Sequence, residues 1–225
     1  MKKGTAGIYY KYFKRPLDFI CALAAIILFW WLFALVALLV KIKLGSPVIF
    51  KQARPGKDEK IFALYKFRTM TDARDENGNL LPDDARLTKF GRLLRKTSLD
   101  EIPELWNILN GDMSAIGPRP LLIEYLPYYT ERELHRHDVR PGLSGLAQVN
   151  GRNTLTWEEK FTYDLYYIEN CSFMLDIKVL WLTVLKVLKR SDILVGKDFK
   201  VGKLLEERKN WTLTAKGAVN RQAAQ

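Results

Sequence analysis

Cysteine and histidine are scarce, with two of each in 225 residues. Two cysteines cannot build a disulfide framework. Cys21, in an apolar run, and Cys171, near a helix start, read as reduced thiols on the cytosolic side with no reactive neighbours. His135 and His137 would point to different faces of a helix, and no cysteine lies near them, so zinc is not indicated and both read as surface or loop-anchoring residues. No repeat of solenoid period is present. No small-residue cleavage site follows the first apolar run, which excludes a secretory signal. Acids are also outnumbered, 25 against 36 lysines and arginines, for a formal charge of +11. That balance points to nucleic acid, anionic lipid or phosphorylated small molecules as partners. No recognised nucleic-acid motif accompanies the basic residues, many of which flank the apolar run, so nucleic acid is set aside.

What the chain does have is apolar content of 48%, ample for a core. Residues 19–40 contain 22 positions without a charge, about 33 Å as a helix, enough to reach across a hydrocarbon core. With no polar face to meet water, this is a membrane segment. Lys2, Lys3, Lys11, Lys14 and Arg15 precede it, and Lys41, Lys43 and Lys51 follow. Positive charge on both sides favours a helix that enters and returns, or lies tilted in one leaflet, while a plain crossing stays open. Asp18 would sit near the headgroups with Arg15 as its partner.

Beyond the anchor, residues 47–52 and 60–68 read as two strands joined by a turn at 54–59. Residues 72–84 read as an acidic surface loop. Residues 85–96 form a basic amphipathic helix that suits either a membrane interface or a core-packed surface. A helix over 100–109, a Gly/Pro-rich turn at 111–120 and a helix near 121–137 follow. Residues 140–152 read as a loop with a short strand. Thr156 and Glu159 form a capping box for a helix that carries Asp164. Residues 172–189 read as an interfacial helix rather than a span, because Asp176, Lys178 and Lys186 interrupt them. The last twenty residues are expected to fray. The resulting expectation is an α-rich α/β fold: a membrane anchor at 1–43, a compact cytoplasmic domain at 44–199 with a small β-hairpin or sheet, and a tail at 200–225.

The densest chemistry lies at residues 97–120. Asp100 and Glu101 are adjacent where a helix should begin. Ser98 with Glu101 reads as a capping box, but Pro103 favours moving the cap to Asp100, which puts the proline in the first turn, where no N–H is needed. A helix N-terminus lowers a carboxyl pKa and binds anions, so the pair suits an ionised nucleophile meeting a phosphate. Lys66, Arg68, Arg95 and Arg119 are nearby cationic candidates. A carboxylate needs no base to attack phosphorus, and a divalent metal with oxygen ligands such as Glu101 would offset the repulsion between two anions. An ordinary helix cap remains the competing reading.

Six motifs appear in order: Gln52-Ala-Arg-Pro-Gly56, Tyr65-Lys-Phe-Arg-Thr-Met70, Ser98-Leu-Asp-Glu101, Gly117-Pro-Arg-Pro120, Arg140-Pro-Gly142 and Ala147-Gln-Val-Asn-Gly-Arg152. On these the chain, from about Lys14 to Arg190, resembles the small monotopic phosphoglycosyl transferases, the bacterial sugar transferases. Glu124-Tyr-Leu-Pro127 and the run from His135 to Gly142 bring it nearest to members that transfer N,N′-diacetylbacillosamine 1-phosphate. The resemblance implies a Mg²⁺-dependent enzyme on the cytoplasmic face of the bacterial inner membrane, using a UDP-sugar donor and undecaprenyl phosphate acceptor. It implies that Asp100 attacks the β-phosphate, expels UMP and carries the phosphosugar to the lipid, with Glu101 handling metal or proton. Lys66, Arg95, Arg119, Gln148, Arg152 and Asp164 would surround the diphosphate and uridine. Anionic lipids and downstream glycosyltransferases of glycoprotein or polysaccharide assembly are the further implied partners.

In one respect the chain departs from its relatives. They carry Ser-Pro in mid-anchor, where this chain has Trp30-Trp31. Without proline a helix need not kink, although tryptophans favour interfaces. Two other classes compete with the transferase: a membrane glycosyltransferase or pyrophosphatase, and a basic membrane adaptor without catalysis.

Overall fold

Helix α1 (Lys14–Leu44) follows a π turn at Tyr9–Phe13, and its burial is confined to its two ends. The computed structural model describes residues 7–151, 154–189, 204–208, 212–213 and 219–220. Lys14, Asp18 and Ala22 are buried at one end of α1, and Val36, Val40 and Leu44 at the other. Each set is spaced by four and so forms one helical stripe. No residue from 23 to 35 is buried. Trp30 and Trp31 in that stretch are 65% and 53% exposed, and the Tyr9–Leu44 segment is long and apolar enough to cross a membrane. Its backbone leaves helical geometry at Phe29 (φ −112°, ψ 17°), so α1 breaks without a proline. We attribute the break to the docking of both ends on the same domain.

At the first end, the Arg15 guanidinium donates to the carbonyls of Ile108 (2.5 Å) and Leu109 (2.8 Å). Asp18 pairs with Lys14 at 3.3 Å and accepts hydrogen bonds from the Ser114 hydroxyl and the Ala115 N–H. Its partner is therefore Lys14, not Arg15, and it lies in a protein interior instead of among headgroups: Arg15 is turned toward the carbonyls of the next helix. At the second end, Val36, Val40 and Leu44 cluster with Phe67 and Leu94.

Strands β1 (Ile49–Pro55) and β2 (Ile61–Phe67) pair antiparallel, with Gln52 opposite Leu64 and Phe50 opposite Lys66. The expected turn is shorter than its sequence suggests and tightens to a 3-10 turn at Lys57–Glu59. The single expected helix at 85–96 is two, α2 (Asp83–Arg86) and α3 (Lys89–Lys96), because the Thr88 side chain caps the second by accepting from the Gly91 N–H at 3.0 Å.

Helix α4 (Glu104–Asn110) leads into β3 (Ser114–Ile116), which lies where only a turn was expected. No long helix fills 121–137 either. A 3-10 turn at Ile123–Tyr128 contains Pro127, Thr130 starts α5 (Glu131–Leu134) with a capping box, and a second 3-10 turn spans His135–Asp138. Strand β4 (Gly142–Ser144) pairs parallel with β3. That pairing needs glycine: a Cβ on Gly142 would lie 2.1 Å from the Gly117 N.

Helix α6 (Leu146–Val149) precedes α7 (Trp157–Asn170), which carries the expected Thr156–Glu159 capping box. On α8 (Phe173–Lys189), Phe173, Met174, Ile177, Trp181 and Val184 are exposed while Val179 and Asp176 are buried. Asp176 does not meet water. Its oxygens accept from the Tyr9 and Tyr167 hydroxyls and pair with Lys14 at 2.8 Å, which ties α8 to the start of α1.

Most of the residues expected to fray lie outside those described. Within the tail, α9 (Leu204–Glu207) buries Leu204 against Tyr125, Tyr129, Trp157 and Phe161, and β5 (Thr212–Leu213) pairs with β6 (Val219–Asn220). Arg208 grips Glu133 with two hydrogen bonds of 2.6 and 2.7 Å and donates to the Tyr128 carbonyl. Burial opposes ionisation of Glu133, but the hydrogen bonds from Arg208 and Thr130 outweigh it and hold the carboxyl below its ordinary value. Its stabilisation is therefore complete above the unfolded-state pKa and lost as pH falls through the folded one. Arg208→Met, which strands a buried carboxylate, is expected to cost about 3–5 kcal/mol at neutral pH. Denaturant unfolding in detergent should show the variant and the parent converging in acid.

Candidate active site

The acid pair sits in a 3-10 turn, Leu99–Glu101, ahead of α4. Ser98 holds a left-handed backbone (φ 55°, ψ 16°) and makes no side-chain cap, and the cap position of α4 falls on Pro103, again without a side-chain bond. Both capping readings from the sequence, Ser98 and Asp100, are thereby corrected. The left-handed residue turns the chain after α3, and the proline supplies the helix entry itself. The side chains of Asp100 and Glu101 are left for other contacts.

Glu101 is clamped. The Lys66 ammonium on β2 donates to its Oε1 at 2.8 Å, and Arg119 donates to the same oxygen at 2.6 Å. Lys66 also lies 3.1 Å from Oε1 of Glu104, a carboxylate 2% exposed that sequence reasoning missed. Its signal was the spacing 101, 104, 107, polar residues recurring every three positions from the turn into a short helix rich in apolar residues. Asn107, the third, has no exposed surface. Its side chain accepts from the Tyr65 N–H at 3.0 Å and donates to the Ala63 carbonyl at 2.7 Å, pinning α4 to β2 as a further strand would.

Asp100 forms no side-chain hydrogen bond among the described residues. Burial, then repulsion from Glu101, raises its pKa, while Lys66, Arg95 and Arg119 oppose the rise. The direction is opposite to that expected from a helix N-terminus, because the carboxyl is buried beside a second acid. A more basic carboxylate results, with three cations around it.

The other candidates are placed unevenly. Arg95 donates to the Thr69 hydroxyl at 3.1 Å and acts on Asp100 through its field. Arg119 keeps 35% of its side chain exposed, so it is open to a ligand. Arg68 is a scaffold residue, bonded to Met70, Ser46 and Asp72. Gln148 donates to the Leu143 carbonyl at 3.1 Å, and its Oε1 is buried without a partner among the described residues. Asp164 is buried against Arg136 at 2.8 Å instead of joining the acid pair. Arg136 in turn donates to the Arg119 carbonyl at 2.8 Å, which connects Asp164 to the site indirectly. Arg152 lies outside the described residues. His137 anchors a loop, its Nδ1 donating to the Gly56 carbonyl at 3.1 Å, and His135 meets Asp138 at the surface.

As a metal site the pair offers hard oxygen donors but no closed cage. No group of three or more His, Cys, Asp or Glu residues suited to a metal occurs among the described residues. One or two carboxylates completed by substrate phosphates is the ordinary arrangement for magnesium, so Asp100 and Glu101 fit that ion with a diphosphate present.

Burial, opposed by Lys66 and assisted by Glu101, pushes Glu104 up to about 7, with Arg119 as the remaining facing charge. A carboxyl raised on folding stabilises fully below its unfolded pKa and loses that contribution as pH rises through about 7. Glu104→Gln is therefore expected to flatten the decline in thermal midpoint between mildly acidic and neutral pH. An unchanged slope in the variant would contradict this.

Residues 9–190 match the family described as bacterial sugar transferase. A Bacillus subtilis protein named uncharacterized sugar transferase EpsL is 58% identical over 174 residues, 77% of this chain and 83% of the relative. A UDP-glucose:undecaprenyl-phosphate glucose-1-phosphate transferase of Klebsiella pneumoniae is 40% identical over 184 residues. A UDP-N-acetylgalactosamine-undecaprenyl-phosphate N-acetylgalactosaminephosphotransferase of Aeromonas hydrophila is 38% identical over 188. These matches cover 77% and 80% of this chain but only 40% and 44% of those two relatives. A match of that extent, on a chain whose Glu101 meets Lys66 and Arg119, places the protein in the bacterial sugar transferase family.

Proposed function

We propose that this chain transfers a sugar 1-phosphate from a UDP-sugar to undecaprenyl phosphate, releasing UMP, by way of a phosphosugar carried on Asp100. The observation that carries the reading is the asymmetry of the acid pair. Glu101 is neutralised by Lys66 and Arg119, while Asp100 has no hydrogen-bond partner among the described residues, which leaves its lone pairs for attack. In the first step an Asp100 oxygen bonds to the β-phosphorus, and the bond to the oxygen bridging to the α-phosphate breaks with its electron pair, leaving UMP. In the second, an oxygen of the lipid phosphate attacks the same phosphorus, the acyl phosphate bond breaks, and Asp100 is restored as carboxylate. Lys66 and Arg119 would hold the donor phosphates between them, and Arg95 would raise the positive potential around the attacking oxygen. Mg²⁺, held by Glu101 together with the donor phosphates, would supply charge neutralisation.

The relatives' names support the donor and acceptor classes: glucose, N-acetylgalactosamine and galactose phosphates are the groups in them. The narrower proposal is an N-acetylated donor of the diacetylbacillosamine type. It rests on the Glu124–Pro127 motif and on the 135–142 run, whose Arg136 donates to the Arg119 carbonyl. Gln148 and Arg152 stay in the proposal as donor contacts, and Asp164 as a support of Arg119 through Arg136. We also propose that α1 enters and leaves the inner membrane on the cytoplasmic face, with the exposed face of α8 at the lipid interface. Both ends of α1 dock on one domain, and its exposed middle breaks at Phe29, which supports the return.

Full-length protein assayed with a panel of UDP-sugars and undecaprenyl phosphate is expected to release UMP, to lose activity with chelator and recover it with Mg²⁺. It should also yield a trapped phosphosugar on Asp100. Asp100→Asn should reduce turnover by at least about a thousandfold, a loss of more than about 4 kcal/mol of transition-state stabilisation. Release of UDP would instead favour a glycosyltransferase, and an active Asn variant a non-catalytic adaptor. For topology, a tag at the N-terminus is expected to be protected in intact spheroplasts, and labelling from outside would establish a single crossing.

A further inference from the structure

The Gln52-Ala-Arg-Pro-Gly56 motif has no part in the mechanism above, yet the hairpin register directs its arginine toward the site. Residues opposite each other in an antiparallel pair share a face, and faces alternate along the strand. Arg54 stands opposite Phe62, Gln52 opposite Leu64 and Phe50 opposite Lys66, so Arg54 and Lys66 project from the same side of the hairpin. Leu64 on that side packs with Ile108 of α4, which identifies it as the side facing the acid pair.

At its end of that face Arg54 lacks a counter-ion. Among the described residues no carboxylate lies within ion-pair distance. Its Nη2 donates to the Gln52 side chain at 2.7 Å, its Nη1 lies 3.4 Å from the Pro120 carbonyl, and its buried Nε has no partner. Pro120 follows Arg119, so two guanidinium groups share one region, and Arg119 is already committed to Glu101. Burial and then repulsion from Arg119 push Arg54 down to about 10. Two neighbouring guanidiniums, one with a buried N–H that is unpartnered among the described residues, form an arrangement that an anion would relieve.

We propose that Arg54 is a phosphate ligand for the donor nucleotide, taking an oxygen of the phosphate that leaves in UMP. The proposal rests on the transferase reading. Two phosphates enter that reaction, the donor's and the lipid's, and position favours the donor's. The second end of α1 packs on Ile49 and Phe67, at the far end of the hairpin. Arg54 lies five residues further on, about 17 Å along the strand, beside Pro120 and Arg119, the arginine that the proposed function already gives to the donor phosphates. Lys66 and Arg119 would then hold the transferred phosphate, and Arg54 the departing one.

The test compares Arg54→Gln and Arg54→Lys with the parent, as full-length protein, by calorimetric titration with UMP and by KM for each substrate. Losing one charge-assisted hydrogen bond should weaken UMP binding roughly tenfold to a hundredfold in the Gln variant. The KM for UDP-sugar should rise by a similar factor, the KM for polyprenol phosphate should not move, and the Lys variant should recover part of the loss. UMP affinity equal to the parent's overturns the proposal, whether or not the thermal midpoint falls, because a scaffold role alone would spare the nucleotide. A rise confined to the lipid KM also overturns it by assigning the phosphate to the acceptor. UMP binding needs no turnover, so a parent that binds UMP through Arg54 but releases UDP would sink the transferase reading alone.

Discussion

Asn107 does more to fix the site than any charged residue in it. Its amide takes the place of a neighbouring strand, satisfying the Tyr65 N–H and the Ala63 carbonyl, while its own carbonyl accepts from the N–H groups of Asp112 and Met113. A buried amide with both ends occupied allows α4 one position against β2. That position puts Glu101 and Glu104 within reach of Lys66, one residue beyond the pinned Tyr65. Arg15 completes the restraint by holding the carbonyls at the other end of α4, and it comes from the membrane helix. The anchor is thus part of the scaffold of the acid pair as well as its attachment to lipid.

Charge within the site is distributed unequally, and the inequality separates two acids that are neighbours in the chain. Glu101 has two cations at one oxygen, whereas Asp100, among the described residues, has only their field and that of Arg95. Burial makes Asp100 more basic, and the surrounding positive potential keeps its anionic form accessible. Around this centre the glycines of the 117 and 142 turns allow two backbone segments to touch, which carries Arg119 to the carboxylates. Arg136, paired with Asp164, then holds the Arg119 carbonyl from behind.

Much of this was legible in local patterns. The uncharged run at 19–40, the two strands, the Thr156 capping box and the convergence of Lys66 and Arg119 on an acid pair followed from periodicity, cap chemistry and charge. Other features were not. The ion pair of Asp164 with Arg136 was not foreseen, because nothing in its helix announces Arg136 as its partner. Glu104 and Asn107 were passed over, because a polar residue on a short helix reads as solvated until the opposing strand is known. The helix expected at 121–137 gave way to 3-10 turns at Pro127 and a new cap at Thr130. The segment outside the family match, around Leu204 and Arg208, carries a buried ion pair that no local pattern marks.

By itself the sequence determined the long apolar segment suited to a membrane, most of the element types and the adjacency of two acids to a set of cations, since these depend on hydropathy, spacing and side-chain chemistry within a few residues. The tertiary structure decided which acid is clamped and which is left unpaired, where α1 bends, and that Arg54 and Lys66 share a face. Each of those depends on contacts between residues tens of positions apart. Their energies come from burial and geometry, which the order of residues does not state.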